Sequence, residues 1–121
     1  MKYALIGCGR IATNHVTAAV NNNMEIVAVC DIVPEKMEAI LKKHGLVDDK
    51  SIKRYTDYKK MIEENELELV SIATESGKHA SIALDVIDAC INVIIEKPMA
   101  MNIADAEEII KRTAEKNVKV S

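Results

Sequence analysis

Aromatic side chains are scarce in this sequence of 121 residues, which contains no phenylalanine, no tryptophan and three tyrosines. A core built from it must therefore be aliphatic, filled by isoleucine, valine, leucine, alanine and methionine. The same scarcity removes the aromatic platforms on which single-stranded nucleic acids stack. The net charge of -3 also provides no basic surface for a nucleic acid or an anionic membrane, so we expect neither as a partner.

Cysteines and long apolar runs are also limited. Cys8, Cys30 and Cys90 form no Cys-x-x-Cys pattern, and an odd number in a chain without an export signal argues against a disulfide framework. We predict three buried thiols and no metal site; the alternative is a partly exposed Cys8 that oxidises when its site is empty. The longest apolar runs, such as residues 91–95, have the length of a strand, whereas a membrane span needs about 20 residues. The expected compartment is therefore the cytoplasm.

What the sequence does contain is a regular alternation of short apolar runs and amphipathic segments. This alternation predicts βαβ units and therefore an α/β fold, a doubly wound parallel sheet covered by helices on both faces in three αβα layers. We expect one domain over residues 1–121, with about six strands in the order 3-2-1-4-5-6. The strands are predicted at residues 3–6, 25–30, 54–55, 67–73, 92–95 and 117–121.

Helices are predicted between these strands. They are expected at residues 11–22, 34–44 and 57–64, after Ser76, and from Ile103. Ser76 and Asn102 are placed to cap the last two helices, with Asp105 reaching back to Asn102. The first helix is expected to direct an apolar face to the core, formed by Ile11, His15 or Val16, Ala19 and Val20.

The first strand leads directly into a glycine-rich turn in which Gly7, Gly9 and Ala12 form the pattern Gly-x-Gly-x-x-Ala. Gly7 permits a tight turn, Gly9 leaves room for a phosphate to approach the backbone, and Ala12 lets the next helix pack closely on the strand. The positive end of that helix would face phosphate oxygens. This pattern predicts a pyrophosphate-binding turn when an acid follows at the end of the second strand.

Asp31 is that acid. It follows the second strand about twenty residues beyond the glycines, where a carboxylate accepts hydrogen bonds from an adenosine ribose. The domain is therefore predicted to bind a dinucleotide. Because a carboxylate at this place repels a 2′-phosphate, NAD is expected and NADP is less favoured. The alternative role for Asp31 is to cap the helix that begins at Pro34.

Two more polar segments follow strands, Thr74 to His79 after the fourth and Glu96-Lys97-Pro98 after the fifth. Ligands of open parallel sheets bind at this edge. Together with the glycine turn and Asp31, these segments resemble the glucose-fructose oxidoreductase, inositol dehydrogenase and rhizopine-catabolism (Gfo/Idh/MocA) family of NAD(P)-dependent oxidoreductases. The resemblance extends over the whole chain and implies that it is the family's N-terminal Rossmann domain.

The resemblance implies roles for the matching positions. Lys97 matches a lysine that lies near the nicotinamide and can hydrogen-bond the reacting hydroxyl and help to move its proton, making it the candidate catalytic residue. Pro98 fixes the backbone that directs Lys97, and His15 is implied to be structural. The implied cofactor-binding positions are Gly7, Gly9, Arg10, Ile11, Asp31, Thr74, His79 and Glu96.

Several of these positions also have simpler interpretations. Ile11 can pack in the core as well as contribute its backbone N–H, and His79 can be an ordinary residue of a first helical turn. Glu96 can orient the lysine that follows it, cap the site or form a strand-end ion pair. Thr74 is followed by Glu75, where the family usually has proline.

The function implied is that of the cofactor-binding half of an oxidoreductase. Such an enzyme transfers hydride between nicotinamide and a secondary alcohol or ketone of a sugar, polyol or nucleotide sugar. The family's antiparallel second domain, which supplies most substrate contacts and usually the oligomer interface, is absent from this chain. We therefore expect the chain to bind cofactor without turnover, and the full-length enzyme to be a homo-oligomer. A non-catalytic NAD-sensing module and a methyltransferase are the alternatives.

Overall fold

The computed structural model describes residues 1–74, 78–96 and 102–121, along which strands and helices alternate. The strands are β1 (Lys2–Ile6), β2 (Glu25–Cys30), β3 (Lys53–Tyr55), β4 (Leu69–Ile72) and β5 (Asn92–Ile95). The helices are α1 (Ala12–Asn21), α2 (Pro34–Lys43), α3 (Tyr58–Glu64), α4 (His79–Asp88) and α5 (Ile103–Lys116). No helix in these residues is long and apolar enough to cross a membrane.

The strands form a parallel sheet in the order β3-β2-β1-β4-β5. This order confirms the predicted doubly wound α/β fold for the first five strands. β2 and β3 lie one after the other on one side of β1, whereas β4 and β5 lie on the other side. The strand order therefore switches beside β1. In open sheets of this kind, the edge at that switch is where ligands bind.

The predicted sixth strand is present only as a short pairing with β5. The N–H of Val93 donates to Lys119 O at 2.9 Å, and Ser121 N–H donates to Val93 O at 3.0 Å. A single parallel bridge joins Val93 to Val120. The segment therefore lies at the predicted edge of the sheet, but it pairs over too few residues to form a strand.

The alternation of side chains along β1 separates two cores. Tyr3 and Leu5 pack into a cluster with the buried residues of α1 and α2, while Ala4 and Ile6 pack on the opposite face with those of α3, α4 and α5. Successive strand residues point to opposite faces, and all four of these side chains are buried, so β1 has a helix layer on each side. The predicted three-layer arrangement is thus confirmed.

The buried face of α1 differs from the prediction at its ends. Ala12, Val16 and Ala19 face the sheet, whereas Ile11 and Val20 are 49% and 48% exposed. Each exposed residue is next in sequence to a buried one, and neighbouring positions on a helix are about 100° apart. The core interpretation of Ile11 is therefore wrong.

Asn102 and Ser76 were predicted as helix caps, and Cys90 was predicted as a buried thiol. Asn102 caps α5 as predicted: its Oδ1 accepts the N–H of Asp105 at 2.8 Å. The predicted cap Ser76 lies outside the described residues, and α4 begins at His79 after Lys78. Cys90, predicted to be buried, is exposed in the turn before β5, with a φ of 62°.

Candidate functional site

The carboxyl ends of β1, β2 and β4 border a cleft of about 190 Å³. Gly7, Asp31 and Thr74 line it, and all three were predicted as site residues from the sequence. They follow the ends of β1, β2 and β4, which are adjacent in the sheet. The cleft therefore lies beside the strand-order switch, where the topology favours a ligand.

Gly7 is the point at which the glycine turn is attached to the sheet. Its N–H donates to Cys30 O at 2.8 Å, and its φ is 94°. A Cβ at this position would lie 2.7 Å from Ala73 C and Thr74 N, inside any permitted contact with a main chain that cannot easily move. Only glycine fits the turn here, because both the backbone angle and the space exclude a side chain.

Gly9 has the opposite surroundings. A Cβ built on it would have no atom within 4 Å, so the backbone faces open space. The next residues, Arg10 and Ile11, are exposed, and Ile11 occupies the N-cap position of α1 without a side-chain capping bond. Ala12 is fully buried against the sheet. This arrangement leaves the turn and the start of α1 accessible to an anion.

Asp31 is bound to the glycine turn by its side chain. Oδ2 accepts the N–H of Cys8 at 2.9 Å, and Oδ1 accepts the N–H of Val33 at 2.8 Å. The N-cap of α2 is Val33, so the interpretation of Asp31 as that cap is wrong, although it does bond the cap's N–H. Two backbone donors thus hold the carboxylate at the rim of the cleft.

Thr74 and His79 belong to the segment after β4. The Thr74 hydroxyl is buried and has no hydrogen-bond partner among the residues that the structure describes. His79 is 1% exposed, and its Nε2 lies 2.7 Å from Thr74 O. A carbonyl only accepts, so this nitrogen carries the hydrogen. His79 is therefore positioned to support the backbone of Thr74, and it does not line the cleft.

Glu96 follows β5 and contacts α1. Its Oε1 lies 2.5 Å from Nε2 of His15, and the two side chains are 31% and 10% exposed. The strand-end pairing considered from the sequence is therefore present as a hydrogen bond. The candidate catalytic residue Lys97 and its neighbour Pro98 lie outside the described residues, as do residues 75–77.

The two cysteines near the glycine turn are protected thiols. Cys8 and Cys30 are 5% and 3% exposed, and the Cys8 thiol donates to Cys30 O at 3.5 Å. Burial, and after it the neighbouring Asp31 carboxylate, raise the pKa of each thiol to about 12. Because the reactive species is the thiolate, the alternative of a partly exposed, oxidisable Cys8 is wrong.

The cleft is also lined by residues that were not predicted as site residues from the sequence, among them Ile32, Lys36 and Tyr58. Ile32 is 72% exposed directly after Asp31, a place for an apolar contact with a flat ligand. The Tyr58 hydroxyl lies 2.5 Å from Asp85 Oδ2, and burial is the main cause that raises its pKa to about 12. Position alone, at or soon after a strand end, could have indicated Ile32.

The residues present fit an adenosine joined to a pyrophosphate. The open backbone at Gly9 admits a phosphate, and the carboxylate of Asp31 lies at the same edge. The buried Thr74 hydroxyl, which lacks a partner among the described residues, belongs to a residue that lines the cleft. Within the described part of the chain, no group of three His, Cys, Asp or Glu residues is arranged to hold a metal ion.

The family model for an oxidoreductase family with an NAD-binding Rossmann fold matches residues 1–121. The chain belongs to this Gfo/Idh/MocA family. The resemblance drawn from the glycine turn and the strand-end motifs is thereby confirmed, as is the expectation of an NAD-binding fold.

Individual relatives are identical to this chain at about a third of the aligned residues. An inositol 2-dehydrogenase of Salmonella paratyphi B is 33% identical over 113 residues, which is 92% of this chain and 32% of that protein. A D-apiose dehydrogenase of Paraburkholderia graminis is 34% identical over 110 residues, 90% of this chain and 28% of the relative.

Solved structures of the family agree with this fold. The WlbA dehydrogenase from Bordetella pertussis, crystallised with NADH and UDP-GlcNAcA, is 30% identical with a TM-score of 0.86, over 98% of this chain and 34% of that one. An oxidoreductase from Agrobacterium radiobacter, in complex with NAD+, L-tartaric acid and magnesium, is 25% identical with a TM-score of 0.88. The match covers 99% of this chain and 34% of that one. The chain thus spans about a third of the length of its relatives.

Proposed function

We propose that this chain is the cofactor-binding part of an NAD-dependent oxidoreductase acting on a secondary alcohol or ketone of a sugar, a polyol or a nucleotide sugar. The observation that carries the proposal is the bond from the Cys8 N–H to the Asp31 carboxylate at 2.9 Å, which joins the glycine turn to the acid at one edge of the cleft. The substrate class is supported by the relatives, an inositol dehydrogenase, an apiose dehydrogenase and a dehydrogenase crystallised with a nucleotide sugar.

Asp31 would bind the adenosine ribose. Its oxygens already accept Cys8 and Val33 N–H groups, and each carboxylate oxygen has a second lone pair for a ribose hydroxyl. A 2′-phosphate would bring negative charge against the same carboxylate, which is why NAD is favoured over NADP. The exposed side chain of Ile32 would contact the adenine.

The glycine turn would bind the pyrophosphate. Gly9 offers backbone that no side chain covers, and Arg10 and Ile11 would contribute their N–H groups at the start of α1. Those N–H groups carry the positive end of the helix dipole, which favours the negative phosphate oxygens. No basic side chain is required for this contact.

The remaining predicted positions would serve the nicotinamide side. The buried Thr74 hydroxyl would donate to the bound cofactor, and His79 would hold the Thr74 carbonyl in place. Nicotinamide, when bound, supplies the hydride chemistry. Lys97 would hydrogen-bond the reacting hydroxyl of the substrate and exchange a proton with it. Glu96 would hold the chain immediately before this lysine.

The whole enzyme would need more residues than this chain contains. With a third of the length of its relatives, we expect the chain to bind cofactor without turning over substrate. A homo-oligomeric full-length protein and a place in the cytoplasm are further parts of the proposal.

The test is a calorimetric titration of the chain with NAD, NADP and ADP-ribose, repeated with Asp31→Ala and Lys97→Ala. We expect NAD and ADP-ribose to bind, Asp31→Ala to weaken both at least about tenfold, since bonds to a charged group contribute about 1.5–3 kcal/mol, and Lys97→Ala to leave both nearly unchanged.

Other outcomes would contradict the proposal in different ways. Binding of S-adenosylmethionine in place of ADP-ribose would indicate a methyltransferase. Binding of NAD that is equally strong in Asp31→Ala would remove the role given to this acid. Appreciable sugar-dependent reduction of NAD by the chain alone would overturn the expectation that a further domain is needed.

A further inference from the structure

The side chains of His15 and Glu96 pair through a hydrogen bond at the edge of the sheet. The distance from His15 Nε2 to Glu96 Oε1 is 2.5 Å, and the side chains are only 10% and 31% exposed. Since a carboxylate only accepts hydrogen bonds, Nε2 of His15 carries the hydrogen and donates it. A charge-assisted bond shielded from water in this way contributes more than an exposed pair.

The pair joins two segments that are 81 positions apart in sequence. His15 lies in α1, the helix that follows the glycine turn. Glu96 comes directly after β5, where its N–H donates to Ile72 O at 3.2 Å, and it precedes Lys97. The pair therefore links the pyrophosphate-binding turn to the end of β5.

The position of the pair across the sheet indicates which half of a dinucleotide it affects. In this topology a dinucleotide lies across the carboxyl edge, with its two nucleotides on opposite sides of the strand-order switch. Asp31 follows β2, on one side of β1, and is the proposed ribose ligand of the adenosine half. Glu96 follows β5, on the other side. The nicotinamide half then lies toward the side held by His15 and Glu96.

We propose that His15 is a positioning residue for the nicotinamide half of the cofactor and acts through Glu96, an inference that rests on the proposed function. By donating to Glu96, His15 holds α1 at a set distance from the end of β5. The two halves of the site are then spaced for a dinucleotide before it binds, so less ordering is required on binding. Without the pair, the turn and Asp31 still bind ADP-ribose, but the nicotinamide side is no longer aligned with them.

The experiment compares two ligands that differ only in the nicotinamide. Titrations with NAD and ADP-ribose are made on wild type, His15→Ala and His15→Gln. We expect His15→Ala to weaken NAD about tenfold, on the scale of one charge-assisted hydrogen bond, and ADP-ribose less than about twofold. Glutamine can donate to Glu96 from its amide, so His15→Gln should restore most of the NAD affinity.

The matched control is His44→Ala. His44 also contacts α1, since its Nε2 lies 3.3 Å from Thr17 Oγ1, but it lies after α2 and does not line the cleft. Both ligands should bind His44→Ala as they bind wild type. A selective loss of NAD in this control would show that any disturbance of α1 has the same effect, and it would overturn the inference.

A second measurement on wild type does not depend on how a variant folds. The ring nitrogen resonances of His15, assigned in the wild-type chain itself, should shift on addition of NAD and stay nearly unchanged with ADP-ribose. The inference is overturned if NAD and ADP-ribose shift these resonances equally, or if His15→Ala weakens the binding of both ligands equally. In either case the pair only stabilises α1. If wild type binds neither ligand, the proposed function itself fails, which is a distinct result.

Discussion

The acids after β2 and β5 lie on opposite sides of β1, and the protein holds them by different means. Asp31 accepts hydrogen bonds from two backbone N–H groups, those of Cys8 and Val33, at 2.9 and 2.8 Å. Glu96 accepts from one side chain, the imidazole of His15. The first arrangement exists wherever the turn is folded, whereas the second depends on which residue occupies position 15.

This difference suggests how the two sides of the site can change in evolution. Substitution of Cys8 or Val33 by any residue other than proline leaves their N–H groups in place, so the hydrogen-bond donors to Asp31 do not depend on side-chain identity. On the β5 side, one substitution removes the donor. We therefore expect the adenosine side to be the constant part of the site and the nicotinamide side to be the adjustable one.

Changing Gly7 should disturb both sides at once, since the turn that it forms carries Cys8 and leads into α1. In Gly7→Ala, the φ of 94° and the 2.7 Å approach to Ala73 and Thr74 backbone atoms would strain the turn. We expect the free energy of unfolding to fall by about 3 kcal/mol or more, from the left-handed backbone and overpacking together. Urea denaturation measures it.

Gly9→Ala is the matched control for this prediction. The added methyl has no atom within 4 Å, so stability should change by less than about 1 kcal/mol. Binding of NAD should nevertheless weaken, because the methyl occupies the space through which a phosphate approaches. A loss of stability similar to that in Gly7→Ala would contradict the contrast between the two glycines.

Asp31→Asn tests the β2 side alone. The amide has one oxygen where the carboxylate has two, so it can accept only one of the Cys8 and Val33 bonds in the same geometry. We expect the free energy of unfolding to fall by about 2 kcal/mol, within the range for bonds to charged groups. The ratio of NADP to NAD affinity should rise about tenfold as the repulsion of a 2′-phosphate is removed.

Thermal unfolding and calorimetry with both nucleotides measure these two effects separately. His15→Gln is the comparison variant, because its partner Glu96 follows β5 on the opposite side of β1. Its NADP-to-NAD ratio should equal that of wild type. If Asp31→Asn leaves the ratio unchanged, the acid does not determine the choice between the two cofactors.

Thr74→Val tests the segment after β4. Valine has nearly the shape of threonine without its hydroxyl, which is buried and lacks a partner in the described part of the chain. We expect the protein to be equally stable, or more stable by up to about 1 kcal/mol, because an unsatisfied polar group is removed. NAD affinity should fall severalfold. A clear loss of stability would show that the hydroxyl is satisfied within the protein.

The smallest effect is expected for Cys90→Gly, in the turn before β5. Cys90 has a φ of 62° in an exposed turn, a backbone conformation that costs about 1 kcal/mol for residues with a side chain. Glycine should therefore raise the free energy of unfolding by about 0.5–1 kcal/mol. Asn23→Gly, at a φ of 56°, should gain less, since asparagine tolerates this conformation. Equal gains would contradict that explanation.

The sequence predicted the parallel sheet, the glycine turn and the place of Asp31 because each depends on a local pattern. Apolar runs of strand length alternate with amphipathic segments, and this alone implies parallel strands with helices on both faces. Gly7 and Asp31 are recognisable because each follows such a run directly. The cap of α5 was equally predictable, since Asn102 and Asp105 interact over a single helical turn.

The contacts between distant residues were not predictable in this way. Nothing in the chain's periodicity indicates that His15 meets Glu96 or that Tyr58 meets Asp85, because tertiary packing brings these side chains together. Helical periodicity also could not decide that the exposed Ile11 lies outside the buried face of α1 while the adjacent Ala12 lies within it. Single apolar residues next to a buried face are ambiguous until the packing angle of the helix is known.

The central place of β1 has a consequence for the motions of the ligand-binding turn. β1 pairs with β2 on one side and β4 on the other, and it is covered by helices on both faces. Amides in such a strand exchange with solvent only when much of the molecule opens. Gly7 continues this strand, and its N–H is bonded to Cys30 O. The turn is thus attached to the part of the fold that opens last, so its shape persists through the partial openings that release helix ends and surface loops.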